Sequence, residues 1–179
     1  KSIMNSIRRS IMTDIPVVAF RVERTNNDIV VEKNKSSLHI EFITDRIALI
    51  PLSIDPDTYY KKEYLFKLDV KMDKSLPITP VTSENLSIYK ILEDIKGRDI
   101  DIKELSNYNL LYDYDKKKIL EPFKYAYNGK EYEDYCVITE LKSGNLHGSL
   151  YEEEEISLYG TPSISTGKEN AAWSCVSLC

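Results

Sequence analysis

The chain has 179 residues, 42% of them apolar and 30% charged, with a formal net charge of −5. That length suits one domain or two small ones, and the apolar fraction is enough for a packed core. The acidic balance argues against a sequence-independent nucleic-acid binder, which needs a basic surface, and no apolar run approaches the roughly 18 residues of a membrane span.

The three cysteines, Cys136, Cys175 and Cys179, are odd in number and form no C-x-x-C pair. A disulfide framework and a local zinc site are both disfavoured, and a reducing, intracellular compartment is expected. The chain opens at Lys1 inside a helical pattern, which reads as part of a longer protein.

Ile3, Ile7, Ile11 and Ile15 recur every fourth residue, with Met4 beside them. This spacing predicts a helix over 3–15 with one apolar stripe, ended by Pro16. Residues 17–23 read as a strand, 26–28 as a turn and 29–32 as a returning strand, giving a hairpin. A second helix is expected over 38–50, with Ser36 or Ser37 as its N-cap. Its apolar residues fall into two groups: Leu38, Phe42 and Leu49 on one side, Ile40, Ile43, Ile47 and Ile50 on another. A helix with two apolar faces must bury both, and a small sheet covers only one. Further along, 64–72 reads as a strand and 77–80 as a proline-bounded loop. The spacing of Ile88, Ile91, Leu92 and Ile95 suggests a short helix, and 110–114 with 118–120 a hairpin. Strands are expected over 132–141, 156–159 and 171–178, with 162–167 a loop and 152–155 a solvated acidic run.

Signs of catalysis are weak. The segment from Gly160 to Glu169 resembles a phosphate-binding loop, but has Pro162 where glycine is required and Glu169 where the magnesium-binding hydroxyl belongs. Cys136 with His147 suggests a thiol hydrolase, yet Cys136 lies within an apolar strand pattern and nothing marks it as an activated thiolate. The carboxylates of Asp99, Asp101 and Glu104, or of Asp113 and Asp115, match no cation-binding loop and sit beside lysines. Neither a catalytic residue nor a cofactor or metal is expected.

Met4 to Phe20 contains Arg8-Arg9 and Ile15-Pro16, and the second helix contains Glu41-Phe42-Ile43, Arg46 and Leu49-Ile50-Pro51-Leu52. These resemble the N-x-L-R-R…I-P and D-E-F-I-x-H-R-L-x-L-I-P-L helices of the third-largest subunit of eukaryotic RNA polymerase II and of its archaeal counterpart. Val81-Thr82-Ser83-Glu84-Asn85-Leu86 is similar to that family's V-x-S-x-D-L strand. Ile138 to Gly144 is similar to its L-x-x-L-x-x-G-Q strand and turn, and Gly167 to Ser174 to its G-K-E-H-A-K-W segment. The five segments occur in family order and span about residues 4–177; 88–131 and 145–155 have no counterpart. Asn170, Ala172, Cys175 and Asp45 depart from the pattern. The cysteine-rich metal loop of many relatives has no equivalent, so neither zinc nor an iron–sulfur cluster is expected.

The resemblance implies an α+β fold: a discontinuous alpha-like dimerisation domain at 1–51 and 164–179, cut at both ends, interrupted by a mostly β insert at 52–163. It implies a non-catalytic assembly platform for a multisubunit DNA-directed RNA polymerase. The partners would be a small alpha-like subunit, or its fused equivalent, and the two large polymerase subunits. DNA and RNA would be met only through the assembled complex, with no membrane contact. The implied partner interface comprises Ile3, Ile7, Arg8, Arg9, Ile11, Ile15, Phe42, Ile43, Arg46, Ile47 and Ile50. Lys168, Glu169 and Trp173 are implied contacts of a large subunit, Trp173 alternatively a core anchor. The divergence and the Tyr, Ile, Asn and Lys bias suggest a large DNA virus with its own polymerase, hence host cytoplasm or virion. A divergent cellular subunit, in the nucleus, is the alternative, as is a free-standing interaction module unrelated to transcription.

Overall fold

In the computed structural model, residues 2–23, 27–73, 75–92, 105–142 and 153–174 are described. Helix α1 spans Ser2–Thr13 and stops before Pro16, which opens strand β1, Pro16–Ala19. Strand β2, Ile29–Asn34, follows. The expected hairpin between these strands does not form. A lone bridge joins Val22 to Asn27, β1 pairs antiparallel with the late strand Ser163–Thr166, and β2 pairs with Glu155–Gly160. The chain does turn back here, but each strand finds a longer partner from the far end of the chain.

Helix α2 is Ile40–Ala48. Its N-cap is His39, whose Nδ1 accepts from the Glu41 N–H at 3.4 Å, rather than Ser36 or Ser37. Ser36 is engaged elsewhere: its hydroxyl donates to Asn34 Oδ1 at 2.7 Å, while the Asn34 amide donates to the Leu38 carbonyl at 2.9 Å. Strand β3, Tyr64–Lys71, lies as expected, followed by β4, Ile78–Thr82, and a single 3-10 turn, Ser83–Asn85.

In place of the helix expected from Ile88 and Ile91, the chain forms strand β5, Ser87–Ile91. The spacing misleads because this sheet buries side chains on both faces. Ile88 joins Phe66 and Leu68 in the main core, while Ile91 packs with Leu65 and Tyr108 in a second cluster on the other side. Ile95 and the carboxylates Asp99, Asp101 and Glu104 lie outside the described residues.

Strand β6, Tyr108–Leu110, precedes helix α3, Asp113–Ile119, in place of the expected hairpin. Asp113 and Asp115 in its first turn and Lys116, Lys117 and Lys118 in its last complement the helix dipole. The expected strand over 132–141 is broken at Tyr135 and Cys136. Its first part belongs to a hairpin of β7, Phe123–Tyr127, and β8, Lys130–Asp134; the second is β9, Val137–Lys142. Asn128 and Gly129 turn the hairpin with φ of 51° and 73°, which places both turn residues in the left-handed region.

Strand β10 is Glu155–Gly160, and β11, Ser163–Thr166, stands in place of the expected loop. The final expected strand begins instead with a 3-10 turn, Ala171–Trp173, and its remainder lies outside the described residues. The fold is α+β. A five-stranded sheet of order β2-β10-β3-β5-β6 accompanies the two-stranded pairs β1-β11, β4-β9 and β7-β8.

Packing is continuous across 51/52. One buried cluster joins Phe20, Ile29, Ile43 and Ile47 to Phe66, Leu68, Val81, Ile88, Ile138, Leu141 and Leu158. Within 52–163, the buried Tyr59 hydroxyl donates to the Pro162 carbonyl at 2.6 Å, and burial raises its pKa well above the usual phenol value. Tyr59→Phe removes that bond and leaves the carbonyl bare. A loss of about 1 kcal/mol in unfolding free energy, measured by urea denaturation, is expected.

Candidate interaction surface

Helix α1 buries none of its residues. Ile3 is 76% exposed and Ile7 50%, with Met4 and Ile15 also exposed. Ile11 and Met12, toward the carboxyl end, are half-buried. Among the described residues, only that end is anchored. The Lys168 N–H donates to the Thr13 carbonyl at 3.0 Å, and Gly167 lies against the Met12 carbonyl. Thr13 closes the last turn with a hydroxyl bond to the Arg9 carbonyl at 2.9 Å, and the Asp14 carboxyl is held below its usual pKa by hydrogen bonds from Thr13 and Ser10. A helix of 12 residues is marginal in water on propensity alone, and proteins normally stabilise one by burying an apolar face.

Arg8 and Arg9 are exposed, and neither has an ion-pair partner among the described residues. Adjacent helical residues point about 100° apart, so the two guanidinium groups address different directions.

Helix α2 has the two faces expected of it, with a reassignment. Ile43, at 0% exposure, Ile47 and Ile50 lie in the chain's own core and are not free for a partner. The outer seam is Phe42 and Leu49, 61% and 65% exposed, one heptad apart. Arg46 is exposed, but its Nη1 donates to the Ile138 carbonyl at 2.9 Å and ties α2 to β9. The sequence shows two groups of apolar residues but holds no information on which group the sheet covers.

The expected large-subunit contacts separate in the same way. Trp173 is buried, with the Arg21 guanidinium 5.5 Å from its ring centre. Glu169 pairs with Arg21 at 3.0 Å and accepts a hydrogen bond from Ser165. These residues fasten the carboxyl-terminal segment to the stretch just after β1, and Trp173 is placed as an anchor there. Lys168 remains exposed.

The alternative chemistries gain nothing from the geometry. Cys136 is half-buried and burial raises its pKa, the opposite of thiolate activation; His147 lies outside the described residues. The phosphate-loop lookalike is the β10–β11 corner, with Glu169 occupied by Arg21. No group of three or more potential metal ligands occurs among the described residues.

A further exposed apolar feature escaped the sequence reading. Phe123, Tyr125, Tyr127 and Tyr132 share one face of the β7–β8 hairpin, and the Tyr125 and Tyr132 rings stack 5.4 Å apart. The signal was present: Asn128-Gly129 between alternating aromatic residues is a strong hairpin signature.

No family model matches the chain, and no curated protein matches it significantly.

Proposed function

We propose that this chain is a non-catalytic assembly subunit of a multisubunit DNA-directed RNA polymerase, pairing through α1 and the outer seam of α2 with a smaller alpha-like subunit or its fused equivalent. In that reading the pairing of β1 with β11 joins the two parts of a discontinuous dimerisation domain, and the heterodimer nucleates assembly of the two large catalytic subunits. The observation that carries it is the unburied α1: an apolar stripe on a helix that, among the described residues, is anchored only at one end. Ordered resemblance over five segments supplies the polymerase context, and the exposed Phe42 and Leu49 supply a second apolar seam. Obligate interfaces of this kind bury on the order of 2,000 Å² or more and resemble a core cut in half. Arg8, Arg9 and Lys168 are the charged groups left to reach carboxylates or carbonyls of neighbouring subunits.

Affinity purification of the native complex followed by mass spectrometry tests the reading. The wild-type chain should bring down the small subunit and both large ones. The double variant Ile3→Asp, Ile7→Asp should lose them while keeping the wild-type melting temperature, because neither side chain is buried. A wild-type chain that purifies alone as a monodisperse monomer at high dilution would sink the idea, as would undiminished pairing by the double variant.

A further inference from the structure

We propose that the open edge of β2 is a docking site for an extended, basic segment of another protein, added as a sixth strand. The proposal rests on the sheet edge and its groove, and holds whether or not the chain serves a polymerase. In the five-stranded sheet β2 stands at one end and, among the described residues, pairs only with β10. The Asp28 carbonyl accepts from the Thr161 N–H and the Lys35 N–H donates to the Glu155 carbonyl, so these groups face β10. Antiparallel alternation then turns the peptide groups of Ile29 and Val31 outward. The Ile29 N–H is met by the Asn27 side chain at 2.9 Å, leaving the Ile29 carbonyl and both groups of Val31 directed at the open edge. The register shift in this pairing falls beyond Val31, so this half of the strand is regular.

Proteins usually blunt such an edge, and the register shift past Val31 does so for the far half of β2. The near half borders a groove. Two adjoining cavities of about 520 and 580 Å³ share Val31 and Ile40 and run between β2 and the first turns of α2. In the larger one, Val22 and Ile29 join those two in an apolar lining, and the ionisable residues are Glu23, Glu41 and Asp45, with no lysine or arginine among the lining residues. An added strand would place alternate side chains in this groove. Apolar residues suit the lining and Lys or Arg suit the three carboxylates. A second copy of this chain is disfavoured, because it brings a net charge of −5 and the same carboxylates to the same place.

The probe is a fluorescein-labelled hexapeptide of alternating valine and lysine, titrated by anisotropy against the full 179-residue chain carrying Ile7→Asp, so that α1 does not contribute. Saturable binding is expected. It should weaken about tenfold when Glu41→Lys and Asp45→Lys are combined, both being exposed substitutions. It should vanish for the same peptide N-methylated along its backbone, which keeps the charge but cannot join a sheet. Absent binding, equal binding of the N-methylated peptide or of a valine–glutamate peptide, or dimerisation of the chain through this edge would each overturn the proposal. No polymerase subunit enters the experiment, so its failure is separate from failure of the assembly reading.

Discussion

Ile43→Asp is expected to leave no folded protein to assay. Ile43 has no exposed surface, and the residues around it in the core, Ile47, Phe66, Leu68 and Ile138 among them, are apolar. The substitution removes the packing of a buried aliphatic side chain, worth about 2–5 kcal/mol as a truncation. It also leaves a carboxyl group without a hydrogen-bond partner in an apolar setting, which costs several kcal/mol more whether the group ionises or stays protonated. Total stabilities of domains this size are about 5–15 kcal/mol. The loss therefore takes most or all of the margin, and far-ultraviolet circular dichroism should show no cooperative melt. Leu49→Asp, at the C-cap of the same helix, makes the opposite case. Leu49 is 65% exposed, so its melting curve should overlay the wild type while partner pairing fails. A normal melt for Ile43→Asp would mean that the core assigned to α2 is wrong.

The two outcomes also explain how far the sequence reached. The four-residue spacing of isoleucines determined α1, and the duplex pattern on α2 determined that it had two apolar sides. Periodicity reports angle around a helix axis, not what lies beyond it, so the covered side had to come from the sheet. The same limit produced the error at Ile88 and Ile91. An i, i+3 pair reads as one helical face, but in a sheet buried on both sides it is one residue from each. β11 was invisible for a different reason. Ser163, Ile164, Ser165 and Thr166 carry little apolar signal, and their strand state is imposed by pairing with β1 across most of the chain. Asp113 to Ile119 held a charge order suited to a helix, yet the neighbouring Asp and Lys cluster resembled a turn. Long-range pairing and two-sided burial are the information a local reading lacks.

Continuity of the core changes what an insert at 52–163 would mean physically. A module added to a finished domain keeps its own core, and deleting it leaves the host intact. Here Ile43 and Ile47 of α2 share one cluster with Leu68, Ile138 and Leu158 from that stretch, and Arg46 caps a carbonyl of β9. The inner face of α2 is thus completed by residues far along the chain. Its outer seam is positioned by them in turn, and an isolated 1–51 fragment would present neither face correctly.

Gly167→Ala should disturb the junction on which α1 depends. A β-carbon at this position would lie 2.2 Å from the Met12 carbonyl oxygen and 3.3 Å from its carbon, with the Ser174 α-carbon at 3.5 Å. All three are backbone atoms, so no side-chain rotation relieves the overlap. Either the last turn of α1 or the strand-ending turn after β11 must move. The hydrogen bond from the Lys168 N–H to the Thr13 carbonyl lies at this contact, as does the Arg21–Glu169 pair just beyond it. Overpacking of this sort costs about 1–3 kcal/mol where neighbours yield, and a backbone-on-backbone clash belongs at or above the upper end. The five-stranded sheet includes neither side of the junction, so the loss should be local. Hydrogen exchange is expected to accelerate over 2–14 and 163–174 while β3 and β10 keep their protection. Under the proposed assembly role, partner pairing should fall with it, although no residue of the proposed interface has changed. Unaltered exchange in α1 would show that the helix is not held by this contact, and the account of its anchoring would have to be abandoned.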